Sequence, residues 1–300
     1  MTALLDSAAL DQADDDTGTT LVRLLRAEFM KIRTTSTGWL FLTSFIMFTA
    51  LALTINGFGN HYQLYPQQGL AGQTQALAQA AQARTPAGVA KMAASMLTSG
   101  QRIGVLFALL LGVLIVTSEF ANQTAAVTFV TVPRRAMVIM AKVAAAACCG
   151  ALFWLVGTVL AVVATPLFLY SQHVSTSLAG WCVTRSVLLN LLGFVAWGVF
   201  GLGLGAALRS QTASLFAAIG VYAGSFGAEP LFSELHHLFH QDWILAAPVI
   251  APAIASEVMV TSGPAFPYAP PGWVGGVIMI GYVLALVAAG IALTKRRDVI

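Results

Sequence analysis

Charged residues are scarce in this chain. Only 9% of its 300 residues are Asp, Glu, Lys or Arg, whereas 58% are hydrophobic and the mean hydropathy is +0.80. A soluble domain carries about 25% charged residues, so this composition excludes an ordinary water-covered surface. Apolar stretches such as Ala144–Leu155 and Val283–Leu293 are continuous rather than alternating, which favours membrane helices over the strands of a barrel. We predict an all-α integral membrane protein.

Motifs for nucleotide and metal chemistry are also missing. The sequence has no Gly-x-x-x-x-Gly-Lys-Ser/Thr phosphate loop, so we do not expect this chain to hydrolyse a nucleotide by that route. Its three cysteines, Cys148, Cys149 and Cys182, have no disulfide or metal-ligand spacing. His236 and His240 are one helical turn apart, but without a third ligand we favour a polar outer helix over a zinc site. We expect no catalytic residue, metal or cofactor in this chain.

Six apolar segments predict six transmembrane helices. They cover residues 39–55, 100–117, 143–165, 187–208, 213–226 and 273–294. We expect Pro166 to end the third. The middle of each segment lacks Asp, Glu, Lys, Arg and His, the groups through which ion-coupled carriers work despite their cost in the membrane. This pattern disfavours a secondary carrier.

Basic residues fall mainly on one side of these segments. Eleven of the 15 Lys and Arg residues lie before the first segment, between the second and third, after the fourth and after the sixth. Basic loops stay in the cytoplasm, so both termini and residues 118–142 are predicted to be cytoplasmic in a multi-pass protein of the cell membrane. On the outer side we expect residues 57–99 to form a surface hairpin or cap. Residues 227–272, broken by Pro248 and Pro252, suit a re-entrant or outer helical pair.

The N-terminal region divides into two parts. Residues 1–19 are acidic and predict a disordered tail, and residues 20–300 form a single transmembrane domain. Thr20–Arg33 has the basic amphipathic pattern of a helix that lies in the membrane interface before the first span. This helix acts either as a lipid anchor or as a docking surface. Its candidate residues are Arg23, Arg26, Phe29 and Lys31.

The fourth segment contains small and polar residues with a structural interpretation. Gly201 and Gly205 form a small-xxx-small pair that allows close helix packing, with a flexible gate as the alternative. Asn190, like Thr158 and Ser214 in neighbouring spans, is predicted to hydrogen-bond to another helix rather than to contact a substrate.

The polar insert Ser118–Lys142 carries the most functional information. It opens with a lone carboxylate, Glu119, and turns at Pro133 before the basic entry into the third span. Helical spacing puts Glu119, Asn122 and Gln123 on one face of a short helix, and Pro133 disfavours helix at the residue before it. We interpret the insert as a surface for a protein partner, with an ordinary amphipathic loop as the alternative.

Four stretches resemble the permease subunits of type-2 ATP-binding-cassette (ABC) exporters, a class that exports drugs, antibiotics, lantibiotics and polysaccharides. They are LVRLLRAEFMKIRTTSTGWL, SEFANQT followed by TFVTVPRRAMVIMAK, GLGLGAALRSQTASLFAAIG, and the broken segment before the sixth span. The resemblance runs from about Leu21 to Arg297 and is closest to actinobacterial drug- and antibiotic-export members. Ala121 departs from their pattern, which often has a basic residue there.

That resemblance implies six spans with an interfacial helix first and a re-entrant helical pair between the last two. It also implies that two permease subunits, identical or not, pair in the membrane, and that each engages a separate cytoplasmic ATPase subunit holding ATP and magnesium. Glu119–Val130 would be the coupling helix seated in the ATPase. The implied coupling residues are Glu119, Phe120, Asn122, Gln123, Thr124, Arg134 and Arg135.

The uncharged spans favour a hydrophobic or amphipathic cargo over a sugar chain, and we expect membrane lipid but no nucleic acid as a further partner. Two other functions remain open at this point. One is a non-transporting membrane sensor, immunity or assembly protein. The other, which the uncharged spans disfavour, is an ion-coupled secondary carrier.

Overall fold

A computed structural model describes residues 22–66, 73–121, 135–174 and 180–296. Every secondary structure element in these ranges is a helix, which confirms the predicted all-α fold. The predicted tail, residues 1–19, lies outside the described residues. The helices are α1 (residues 22–34), α2 (Ser36–Leu64), α3 (Gln73–Ala83), α4 (Pro86–Leu97), α5 (Gln101–Ala121), α6 (Arg135–Ser171), α7 (Trp181–Leu208), α8 (Gln211–Ser225), α9 (Ala228–Phe239), the 3-10 helix η1 (Asp242–Ile250), α10 (Pro252–Val260) and α11 (Gly272–Arg296).

Five candidate spans are long and apolar enough to cross a membrane. Four are single helices, α2, α6, α7 and α11, and the fifth consists of α4 and α5 together. Two further pairs reach that length only together. The pair α8 and α9 is bent by 49°, and the pair η1 and α10 is bent by 97°. The described chain therefore has between five and seven candidate spans, a range that includes the predicted six. The fifth predicted span falls on α8, which at 15 residues is short by itself.

The centre of the molecule is the contact between α5 and α7. In the most apolar stretch of each of their spans 61% is buried inside the protein, against 17% in the corresponding stretches of α2 and α11. A Cβ added at Gly201 of α7 would collide with the carbonyl oxygen of Leu109 in α5, and one at Gly112 with the carbonyl oxygen of Gly198. Because these glycines have no side chain, the two backbones lie in direct contact. α2, α4, α6, α8, α10 and α11 each pack against one or both of these two helices.

Aromatic side chains attach α2 and α6 to the central pair. Phe45 of α2 is fully buried. Its ring centroid lies 5.0 Å from that of Phe153 in α6 and 6.0 Å, edge-on, from that of Phe194 in α7. Edge-to-face pairs of this kind add to the gain from burying apolar surface. Three helices are thereby held at one level in the membrane.

One expectation from the sequence is wrong, and the structure adds to another, the surface hairpin or cap at residues 57–99. Pro166 does not end the third span, since α6 continues to Ser171. Proline removes a single backbone donor, and membrane helices tolerate that loss. Residues 57–99 are not only a surface cap either. α2 extends to Leu64, α3 and α4 form a hairpin, and α4 buries one face that includes Met92, Ala93 and Leu97.

Candidate functional site

Four charged side chains meet where α1, α5 and α6 come together. Glu28 and Lys31 belong to α1, Glu119 to the last turn of α5, and Lys142 to α6. The Lys142 Nζ atom lies 3.0 Å from Glu28 Oε1 and 2.8 Å from Glu119 Oε1. The Lys31 Nζ atom lies 3.2 Å and 2.8 Å from the same two oxygens. Each ammonium group thus contacts both carboxylates, and we call these four residues the charge quartet.

Three of the four side chains are withdrawn from solvent. Exposure is 9% for Glu28, 7% for Glu119 and 5% for Lys142, whereas Lys31 is 53% exposed. A buried charge is very costly unless an opposite charge and hydrogen bonds compensate it. The quartet meets this condition because two carboxylates face two ammonium groups and its net charge is zero. Loss of one member leaves an uncompensated charge among the other three.

Local structure explains how α1 contributes two members. Glu28 and Lys31 are three residues apart, so they project from the same face of a helix. Leu25 and Ile32, on either side, are half-buried against the rest of the molecule. Burial lowers the pKa of Lys31, but the hydrogen bond and charge of Glu119, together with those of Glu28, outweigh this and raise the pKa above the usual lysine value. Lys31 is therefore a cation at neutral pH.

Phe120, the residue after Glu119, connects the end of α5 to a fourth helix, α7. The guanidinium carbon of Arg209 lies 5.8 Å from the centre of the Phe120 ring, within the range of a cation–π contact. Arg209 caps the end of α7 in a left-handed conformation with φ 55°, and its backbone N–H donates to the Gly205 carbonyl at 2.9 Å. The end of α5 is consequently fixed to α1, α6 and α7.

A cavity of about 830 Å³ lies at the opposite end of α5. Gln101, in its wall, and Glu119, in the charge quartet, are 18 residues apart on one helix, which is about 27 Å at 1.5 Å per residue. We call this the distal cavity. Its wall is built from α2, α3, α4, the start of α5, and parts of α7, α8 and α10 with the loop after it.

Two adjacent residues of α5 bind two adjacent residues of α10 at this cavity. The Gln101 side-chain amide donates to both the carbonyl and the hydroxyl oxygen of Ser256, each at 3.1 Å. The next residue, Arg102, places its guanidinium 2.6 Å from the Glu257 carboxylate. The first contact is buried and the second is partly exposed to solvent. Together they hold α10 against α5.

The family comparison agrees with these membrane features. The sequence profile of the ABC-2 family transporter proteins matches residues 22–299. This chain belongs to the ABC-2 transporter family. It is accordingly a multi-pass membrane protein and a permease component of an ABC transporter, a family whose members work with an ABC ATPase. No curated protein matches the chain.

In this ABC-2 permease the predicted coupling segment is only partly described. Of the implied coupling helix Glu119–Val130, only the first three residues are described, and they form the last turn of α5, which continues without a break to Ala121. The Glu119 carboxylate turns into the charge quartet rather than outward. Arg135 is the first residue of α6. The other predicted contacts, Asn122, Gln123, Thr124 and Arg134, lie outside the described residues.

The predicted interfacial residues of this permease divide between two environments. Arg23, Arg26 and Phe29 are exposed on α1, whereas Lys31 joins the charge quartet. The sequence interpretation missed Glu28, the lone acid among the basic residues of this helix. Its position three residues from Lys31, on the side of the apolar residues Leu25 and Ile32, was the available signal.

The small and polar residues predicted in the fourth span lie on α7. Gly201 and Gly205 both face α5, and a Cβ at Gly205 would lie 3.1 Å from the Val113 carbonyl oxygen. This is close packing, and gating by these glycines stays a prediction. Asn190 is 4% exposed, and its Oδ1 atom has no hydrogen-bond partner among the described residues. The same holds for the Thr158 and Ser214 hydroxyls, so the expected helix–helix hydrogen bonds of those two residues are not formed within the described chain.

The histidines considered for zinc have other neighbours. The Nδ1 atom of His236 lies 3.1 Å from the carbonyl oxygen of Gln241, and His240 caps the end of α9 in a left-handed conformation. Within the described ranges no group of three His, Cys, Asp or Glu side chains is close enough to hold a metal ion.

Proposed function

We propose that this chain is the membrane-spanning subunit of an ATP-driven exporter and that residues 122–134 dock on its ATPase subunit. In this proposal the ATPase binds and hydrolyses ATP with magnesium, and the permease itself carries out no chemistry. Two permease subunits form the transport unit, and an amphipathic or hydrophobic compound leaves the cell. The side of the protein that carries most of the Lys and Arg residues faces the cytoplasm, and both termini lie on that side.

The observation that supports this proposal is the position of the charge quartet. Glu119 lies three residues before the segment 122–134 and Lys142 lies two helical turns after α6 begins, so both ends of the segment connect to one group of charges. Glu28 and Lys31 attach α1 to the same group. A displacement of residues 122–134 by an ATPase would therefore move α1, α5 and α6 together rather than bend one loop.

Transport in this proposal follows from a shift between two arrangements of the helices. ATP favours the closed ATPase pair, and the closed pair favours one arrangement of the permease because it binds that arrangement better. Hydrolysis removes this preference. The charge quartet contributes by transmitting the position of residues 122–134 to three helices, since separating its members in the membrane would expose unpaired charges.

Two steps test the proposal. The tagged chain is first isolated from native membranes in mild detergent, and mass spectrometry is expected to find an ABC ATPase bound to it. Residues 122–134 are then replaced by a Gly/Ser linker of equal length, which is expected to release that ATPase and abolish ATP-driven efflux from vesicles. Replacement of residues 67–72 in the same way is the matched control and is expected to leave binding intact. An ATPase that stays bound to the 122–134 variant contradicts the docking role.

A further inference from the structure

We infer that the distal cavity binds an amphipathic molecule whose head group is uncharged and rich in hydrogen-bonding groups, such as hydroxyls or amides. If the proposed export function holds, this molecule is the cargo on its way out. Three features of the cavity favour such a ligand: the residues of its lining, their order along α2, and wall amides without hydrogen-bond partners in the described chain.

The polar part of the cavity lining carries almost no free charge. Six carboxamide side chains face the cavity: Asn56, Asn60, Gln63, Gln79, Gln82 and Gln101. Hydroxyl groups of Ser95, Thr98, Ser99 and Ser256 add to them. Of the three charged lining residues, Arg102 and Glu257 neutralise each other at 2.6 Å, and Lys91 is exposed. A carboxamide both donates and accepts hydrogen bonds, which suits hydroxyl and amide groups better than an ion.

One wall changes from apolar to polar along the helix axis. The residues of α2 that face the cavity are, in order, Ala52, Ile55, Asn56, Asn60 and Gln63. They span about 16 Å at 1.5 Å per residue, with the apolar members nearer the middle of the span and the amides nearer its end. A ligand that matches this wall has an apolar part directed inward and a polar head directed outward.

Other walls of the cavity also contribute apolar side chains. Met92 of α4, Val105 of α5, the ring of Tyr222 in α8 and the ring of Phe226, the residue after α8, line it. Cavities that take small molecules combine mostly apolar walls with a few placed polar groups. The distal cavity has both, and its volume of about 830 Å³ lies within the range of drug-sized sites.

Some of the wall amides are held by hydrogen bonds within the protein, and two are free to bond to a ligand. Asn60 donates to Asn56 Oδ1 at 2.7 Å, and Gln101 donates to Ser256, so these side chains are fixed in place. The side chains of Gln79 and Gln82 are exposed and make no hydrogen bond to the described residues. The fixed amides give the wall its shape, and the unpaired ones can bond to a ligand at little conformational cost to the fold.

Cysteine protection tests the inference without any ATPase. The test uses two single variants in a background with Cys148, Cys149 and Cys182 replaced by alanine. Ser99→Cys lies in the cavity wall, whereas Ser171→Cys is exposed at the end of α6, outside the wall. Each protein is put in lipid nanodiscs and labelled with a membrane-impermeant maleimide. Hexyl glucoside is the probe, and heptanoate and hexyltrimethylammonium carry the same hexyl chain on a charged head.

Hexyl glucoside is expected to slow labelling at Ser99→Cys and not at Ser171→Cys, and the two charged compounds are expected to have a much smaller effect. Gln79→Leu and Gln82→Leu should raise the concentration for half-protection by about threefold to tenfold, as expected for loss of a hydrogen bond. Gln75→Leu, on the same helix as Gln79 but not in the wall, is the matched control and should change nothing.

Other results overturn the inference. Equal protection by all three compounds would mean that the cavity selects only the hexyl chain. Absence of protection at Ser99→Cys, or protection unaffected by both leucine variants, would mean that these amides do not bind the head group. Either failure leaves the ATPase docking proposal untouched, because that is judged by co-purification. Conversely, protection at Ser99→Cys combined with failure of any ATPase to co-purify from native membranes would contradict the exporter and keep the ligand site.

Discussion

Lys142 of α6 places its ammonium nitrogen 2.8 Å from the carboxylate of Glu119 at the end of α5, and both side chains are more than nine-tenths buried. These two residues flank the segment that we propose as the ATPase docking element. Glu28 and Lys31 complete the group from α1. The arrangement makes the charge balance of the quartet, more than any single contact, the property to test.

Neutralising one member should harm the protein more than neutralising a matched pair. Glu119→Gln leaves two ammonium groups against one carboxylate, and Lys142→Met leaves the opposite excess. Each is expected to lower the free energy of unfolding by about 3–5 kcal/mol, because a buried charge loses its partner. The double variant retains Glu28 with Lys31 and is expected to be more stable than either single variant. Thermal unfolding in detergent measures all three, and a double variant with the sum of the two losses would contradict charge balance.

The exposed member of the quartet is expected to affect coupling more than stability. Lys31→Met removes the contacts from α1 to Glu119 and leaves two carboxylates against one ammonium group. Because Lys31 is half exposed, water can reach the carboxylate that it leaves, so the free energy of unfolding should fall by less than in Lys142→Met. We expect the ATPase to remain bound while transport per ATP hydrolysed falls several-fold. Arg33→Met, an exposed cation on the same helix, is the control. If both variants transport like the unmodified protein, α1 is not part of the coupling path.

Close contact between α5 and α7 predicts a sharp difference between two glycines. Gly201→Ala places a methyl group on the Leu109 carbonyl, and the resulting overpacking should cost about 1–3 kcal/mol or more. Gly281→Ala, in α11, meets no described atom within 4 Å and should leave stability unchanged or slightly increased. Unfolding temperatures of the two purified variants provide the comparison. Equal unfolding temperatures would show that the helices can separate at no cost.

At the distal cavity, burial rather than charge should decide which contact stabilises α10. Ser256 is 2% exposed. Ser256→Ala leaves one N–H of the Gln101 amide buried without an acceptor, while the other N–H still donates to the backbone carbonyl, and the free energy of unfolding should fall by about 1–3 kcal/mol. The Arg102–Glu257 pair is partly exposed, so Glu257→Gln should cost at most about 1 kcal/mol. Thermal unfolding distinguishes the two. A larger loss for Glu257→Gln would reverse this ranking.

Much of the fold follows from the sequence because hydrophobicity determines which segments lie in the membrane. The predicted spans fall within α2, α5, α6, α7, α8 and α11, and the prolines at 248 and 252 correctly marked the broken segment now seen as η1 and α10. The burial of α4 was not predicted. Its Ala- and Met-rich sequence is only moderately apolar, and what buries it is the presence of α6 and α7 on either side.

The candidate site was harder to predict. Glu119 and Lys142 stood out as charges beside apolar runs, but the sequence could not tell whether they face a partner or each other. Lys142 also contacts Glu28, which is 114 positions away along the chain, and such distant contacts leave no trace in local periodicity. The polar lining of the distal cavity was missed for a similar reason. Its six amides come from three helices, α2, α3 and α5, and only the fold brings those helices to one cavity.

The bond between Lys142 and Glu119 has one more consequence, for protein engineering. It fixes the spacing of the two points between which the thirteen residues 122–134 must run. Closing a loop of that length costs entropy, and here the helices and their charges have already met that cost. The segment is therefore an interchangeable part. Its sequence can be exchanged with that of another ABC-2 permease of equal length, and we expect the recipient to keep its own helices while accepting the donor's ATPase.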